Sequence, residues 1–153
     1  MKKIFSITAL VLGGLLAAGS ALAHDDAYLD TQKAPHGGQL RMAGVYHFEL
    51  VVDRTSPEVK EKPVAVYLTD HAGQKIPAAG ATGSATLLSG KTRTTVTLTP
   101  DGDNLLKGSG KYASTAELKA IVSIAPAGQA AAQARFTPLS GAGEMHGGGS
   151  NSK

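Results

Sequence analysis

The sequence predicts an all-β protein, an immunoglobulin-like antiparallel β-sandwich of about seven strands. Three observations carry that expectation. Between Val45 and Val52 the residues alternate with period two, which marks a strand with one face in a core. Thr92 to Thr99 is rich in threonine and valine, residues that suit a pleated surface. Short apolar stretches follow one another with Gly/Pro turns between them, the spacing of a sandwich.

Taken in order, residues 24–42 are polar and broken by Pro35, Gly37 and Gly38, and read as an arm or loop. In the first strand Tyr46, Phe48, Leu50 and Val52 form the core face, and Val45, His47, Glu49 and Val51 the other. Thr55 to Lys62, with Pro57 inside and Pro63 next, reads as a turn. Val64 to Thr69 is the next strand and ends in the turn Asp70-His71-Ala72-Gly73-Gln74. Further strands are expected at Ser84–Leu88 and Thr92–Thr99, followed by the turn Pro100-Asp101-Gly102-Asp103. Leu105, Leu106 and the glycines after them read as a short edge strand. Leu118 to Ile124 and Ala130 to Phe136 close the domain. Two helical alternatives compete: Ser114 with Glu117 is a capping pattern before Ala120, and 127–134 is alanine-rich. The alternation that continues to Phe136 favours strand. Residues 43–140 form the expected domain, and the Gly/Ser-rich tail at 141–153 is expected to be disordered.

The chain starts with Lys2 and Lys3, continues with an apolar run from Ile4 to Ala18, and reaches Ala21-Leu22-Ala23. That is the order of a secretory signal peptide over residues 1–23, with cleavage after Ala23 and a periplasmic destination. The alternative, a membrane anchor, needs about 20 apolar residues, and Gly13 and Gly14 interrupt a run that is already short. The net charge is +3, and losing Lys2 and Lys3 brings it to +1. No basic stripe interleaved with aromatics is present, so nucleic acid is not an expected partner. There is no cysteine, hence neither a disulfide framework nor a thiolate metal site. No nucleophile elbow, phosphate loop or dinucleotide fingerprint is present either. The reading is a protein that is not an enzyme.

What chemistry the chain offers lies in its five histidines. Imidazole is the commonest neutral metal ligand, and carboxylates often complete the set. After cleavage His24 is the N-terminus, where α-amine and ring nitrogen together suit a copper(II) chelate, with Asp25 and Asp26 adding oxygens. His36 sits in Pro35-His36-Gly37-Gly38, either a solvated loop residue or a ring whose direction the backbone sets. His47 and Glu49 stand two apart on the non-core face, about 7 Å between Cα atoms, either as solvated neighbours or as partners on one ion. Folding of the arm over that face strengthens the second reading. His71 lies in a turn. Met145-His146 in the tail offers a thioether and an imidazole that suit copper(I), or is a passive end.

The stretch His36-Gly37-Gly38-Gln39-Leu40, then Ala43 to Val51, then Val66 to Gly73 resembles small periplasmic proteins encoded with heavy-metal efflux systems. It is also similar to the N-terminal module of adaptor subunits of cobalt-zinc-cadmium type efflux pumps. The resemblance covers about His36 to Thr99. It implies a metal-handling role in the periplasm, copper or zinc as the ion, an efflux adaptor or other envelope protein as partner, and His36, His47, Glu49 and His71 near the site. A weaker similarity, through His24 alone, is to the copper-resistance protein C family, although Asp25 and Asp26 stand where its second arm histidine lies. The expected metal residues are thus His24, His36, His47, Glu49 and His71. The alternative is a non-catalytic module that docks on an envelope partner through a sheet face or edge.

Overall fold

The computed structural model describes residues 26–141. The proposed signal peptide, His24, Asp25, Met145 and His146 lie outside the described residues. No helix among the described residues is long and apolar enough to cross a membrane.

The chain forms one short helix, α1 (Asp26–Asp30), and eight strands: β1 (Gln39–Ala43), β2 (Tyr46–Val52), β3 (Lys60–Asp70), β4 (Thr82–Ser89), β5 (Thr92–Pro100), β6 (Leu105–Tyr112), β7 (Lys119–Ala125) and β8 (Ala132–Phe136). The all-β antiparallel class is as expected. The strands number eight rather than about seven. They run in the single order β1-β2-β3-β6-β5-β4-β7-β8, every pairing antiparallel. The β5–β6 ladder holds only two residue pairs, Thr99 with Lys107 and Pro100 with Leu106. The sheet bends there into two facing halves. At the far seam β1 and β8 lie side by side, and the Thr137 N–H donates to the Gln39 side-chain oxygen at 2.8 Å. The sheet is nearly closed on itself.

The core fills the space between the halves. Phe48, Leu50, Val64, Val66 and Leu68 come from one side, and Leu87, Val96, Val122 and Ile124 from the other, all essentially without solvent contact. The period-two pattern therefore assigned the faces of β2 as expected: Phe48, Leu50 and Val52 point inward and Tyr46 packs at the rim.

Four boundaries differ from the sequence expectation. Residues 39–42, read as part of the arm, belong to β1. Residues 26–30, read as loop, make α1. The stretch before Val64 is strand from Lys60, through Pro63. Pro63 lies one residue beyond the last β2 pair, Val52 with Val64, so β3 is paired there on one side only and the missing N–H costs little. The fourth concerns β6, which is no edge strand but sits between β3 and β5. Its glycines mark close approach: a Cβ on Gly108 would run into the Thr97 carbonyl, and one on Gly110 would stand 2.5 Å from Val96 Cγ2. The capping pattern at Ser114 yields only a turn, with the Leu118 N–H donating to the Thr115 carbonyl.

Candidate metal centre

The outer face of β1, β2 and β3 holds the expected residues. Register puts Leu40, Glu49 and Tyr67 in one lateral row, and Met42, His47 and Thr69 in the next. His71 lies just past the end of β3, two residues on from Thr69. Above this face lies α1, with Leu29 buried beneath it. Arg41 holds the helix down. Its guanidinium donates to both oxygens of Asp30, at 2.7 and 3.2 Å, and its Nε lies 3.7 Å from Asp26. The arm does fold over the His47/Glu49 face.

From α1 the chain reaches His36 through a β-turn, Ala34-Pro35-His36-Gly37, closed by a 3.1 Å bond from the Gly37 N–H to the Ala34 carbonyl. Pro35 takes the second position, where its ring already has the required φ. Gly37 follows at φ 73°, the left-handed region that glycine enters without penalty. Gly38 has another reason to be small. A Cβ there would collide with the Leu50 carbonyl and stand 2.9 Å from Val51 Cγ2. With no side chain, the loop lies flat on β2 and its amides reach Glu49.

Glu49 is the organiser of this contact. It is 3 % exposed. One carboxylate oxygen, Oε1, accepts from the His36 N–H at 2.8 Å and the Gly38 N–H at 3.0 Å. The other, Oε2, lies 2.8 Å from His36 Nδ1. With the carboxylate ionised, Oε2 can only accept, and the contact is then made by the Nδ1–H tautomer of the ring. In the neutral ring the lone pair is then on Nε2. The ring also stacks on Tyr67, with centroids 3.5 Å apart and planes parallel. Two backbone amides, a carboxylate and an aromatic face therefore fix one imidazole whose side chain is still 41 % exposed.

His71 is placed by a second local device. Asp70 Oδ1 accepts from the Ala72 and Gln74 amides at 2.9 and 2.8 Å, an Asx-type turn, and Gly73 closes it at φ 78°. The turn brings the His71 ring over His47, with centroids 4.9 Å apart and an interplanar angle of 24°.

His36, His47, Glu49 and His71 all line one cleft of about 430 Å³, walled by Tyr28 and Leu29 of α1 and by Tyr67 and Thr69 of β3. Four of the five expected residues therefore share one site, and the fifth, His24, lies outside the described residues. The role of Glu49 differs from the one its spacing suggests. The sequence reading paired it with His47 on an ion, whereas its carboxylate is buried and aimed at His36. Among the described residues no group of three His, Asp or Glu side chains is gathered closely enough to hold one ion. What stands in the cleft is an imidazole pair, His47 and His71, and a separately fixed third ring. Such donors suit copper, zinc or nickel by their softness, with no thiolate in the chain to bias the choice. Tyr67 was missed as a site residue. Its signal in the sequence was its place in the alternation, opposite Glu49 and on the same face.

No protein-family model, no curated protein and no solved structure matches the chain.

Proposed function

We propose that this protein binds a copper or zinc ion in the cleft between α1 and the outer face of β1–β3, and serves metal homeostasis or resistance as a carrier, buffer or efflux accessory. The observation that carries the reading is the convergence of three histidines from three separate segments, a loop, a strand and a turn, on one cleft. A solvated polar face gives no reason for that, and none for a buried glutamate that fixes one imidazole. A metal-bound histidine commonly donates its other ring N–H to a carboxylate, and Glu49 is in that position toward His36. In this reading His36 Nε2, His47 and His71 are the ligands, and Glu49 acts through His36. Binding of one ion by all three rings requires side-chain rotation at His47 and His71, both of which line the cleft. The resemblance to proteins of heavy-metal efflux systems and the signal-peptide pattern at residues 1–23 support a periplasmic setting.

The test is equilibrium dialysis of the purified protein against copper and zinc, followed by elemental analysis. The expected result is about one equivalent bound by the parent chain and far less by a His47→Ala, His71→Ala double variant. Equal uptake by parent and double variant overturns the site. No uptake by either leaves the face without a metal role and favours a docking module.

A further inference from the structure

The opposite half of the molecule carries a different chemistry. Strands β4, β5, β7 and β8 contain Arg93, Lys119 and Arg135 and no Asp or Glu. The register gathers the three cations around two aliphatic side chains on the outer face. Leu88 pairs with Arg93 on one side and Lys119 on the other, and Ile121 pairs with Arg135. Leu88 is 41 % exposed and Ile121 36 %. Together they floor a groove of about 480 Å³, and the three cations stand around it. Arg41, Lys75 and Lys107 each sit against a carboxylate, whereas Arg93, Lys119 and Arg135 pair with no acidic residue among the described residues. A sheet face with a concave apolar centre and unneutralised cations on its rim is unlike an ordinary solvated surface, where both signs are mixed.

Three candidate occupants differ in shape. A small anion is a few ångströms wide, whereas Arg93 on β5 and Arg135 on β8 are three strand spacings apart, about 14 Å. One phosphate or carboxylate does not account for all three cations or for the apolar floor. An anionic bilayer is flat and favours apolar side chains that protrude, and here they lie in a depression. A ridge of apolar side chains flanked by carboxylates matches both the depression and the spread of charge. About ten residues of helix span 15 Å. We propose that this groove docks an acidic amphipathic segment of a partner protein, with its aliphatic ridge on Leu88 and Ile121 and its carboxylates on Arg93, Lys119 and Arg135. This surface is distinct from the histidine cleft and does not depend on metal.

The test uses the isotope-labelled chain and a synthetic amphipathic helix with a leucine ridge and glutamate flanks. Amide shifts confined to the outer-face residues of β4, β5, β7 and β8 are expected, with affinity that falls as salt rises. An Arg93→Glu, Arg135→Glu double variant is expected to weaken binding at least tenfold. Both positions are exposed, and the milder pair Arg93→Gln, Arg135→Gln serves if the reversal unfolds the chain. Chelator should change nothing. Equal binding of a lysine-flanked peptide overturns the proposal, as do shifts centred elsewhere. Co-sedimentation with phosphatidylglycerol vesicles in the absence of peptide binding also overturns it, and assigns the face to a membrane surface.

Discussion

At the residue scale the account turns on Glu49. A Glu49→Gln substitution keeps the size and keeps an oxygen for the two loop amides, but presents an N–H₂ to His36 Nδ1. The imidazole then has to accept at Nδ1, which moves its proton to Nε2, the nitrogen the metal needs. Loss of such an outer partner typically costs about 10–100-fold in metal affinity. The same drop is expected here with an unchanged circular-dichroism spectrum, and a titration that shows equal affinity removes Glu49 from the site. Tyr112 offers a separate check on the core. It is fully buried, and its hydroxyl donates to the Pro63 carbonyl at 2.7 Å and accepts from the Asp53 N–H at 2.8 Å. Burial, the largest influence, raises its pKa above the ordinary 10.0, and the nearby Asp53 charge adds to this. A raised pKa means that the folded chain holds the proton more tightly. The stabilisation is therefore complete below pH 10 and is lost as pH rises through the folded value. Tyr112→Phe is expected to cost about 1–3 kcal/mol at neutral pH, because it removes two part-buried hydrogen bonds, to the Pro63 carbonyl and from the Asp53 N–H, each worth about 0.5–1.5 kcal/mol. It should also flatten the alkaline arm of a stability-against-pH curve. At this scale much of the site was legible: alternation put His47 and Glu49 on the non-core face. The bond from Glu49 to His36 was not, since it spans thirteen residues and depends on how closely a loop settles on β2. Gly38 makes that approach possible only by what it lacks.

At the element scale, α1 and β6 show why parts of the fold escaped the sequence. Five residues are too few for an amphipathic period, and isolated helices this short are not stable. The helix exists because Leu29 is buried and Arg41 ties down Asp26 and Asp30. Arg41→Ala is expected to raise amide exchange in residues 27–32 while leaving β2 and β3 protected, and to weaken metal binding by loosening the cleft wall. Unchanged exchange would show that Leu29 alone suffices. In β6 the composition misleads. Gly108 and Gly110 look like strand breakers, yet they are what lets β5 cross close over the strand where the sheet bends. Gly108→Ala puts a methyl group into the Thr97 carbonyl, and overpacking of this kind costs about 1–3 kcal/mol. A denaturant midpoint at the parent value would mean that the bend relaxes at no cost. Strands without such glycines, such as β2 and β7, were read close to their true limits because tertiary structure there only confirms the local pattern.

At the scale of the whole molecule, one bent sheet presents two unlike outer faces. Around β2 and β3 it carries imidazoles and a buried carboxylate, and around β4 and β7 it carries apolar side chains ringed by cations. The antiparallel class was legible from alternation and turns. The strand order was not, because a two-pair ladder at β5–β6 and the nearness of β1 and β8 depend on contacts far apart in the chain. A ligand that binds only the folded state adds stability that grows with the logarithm of its concentration. Zinc at about 100 times its dissociation constant should add about 2.7 kcal/mol and raise the thermal midpoint, and this gain should disappear in the His47→Ala, His71→Ala variant. The most direct measurement is a nitrogen-edited NMR titration of the imidazole rings with zinc. The account predicts that the free chain shows His36 protonated at Nδ1, and that His36 Nε2 and the His47 and His71 rings shift together and saturate at one equivalent. A His36 tautomer with its proton on Nε2, or rings of His47 and His71 that stay at their free positions through the titration, would contradict it.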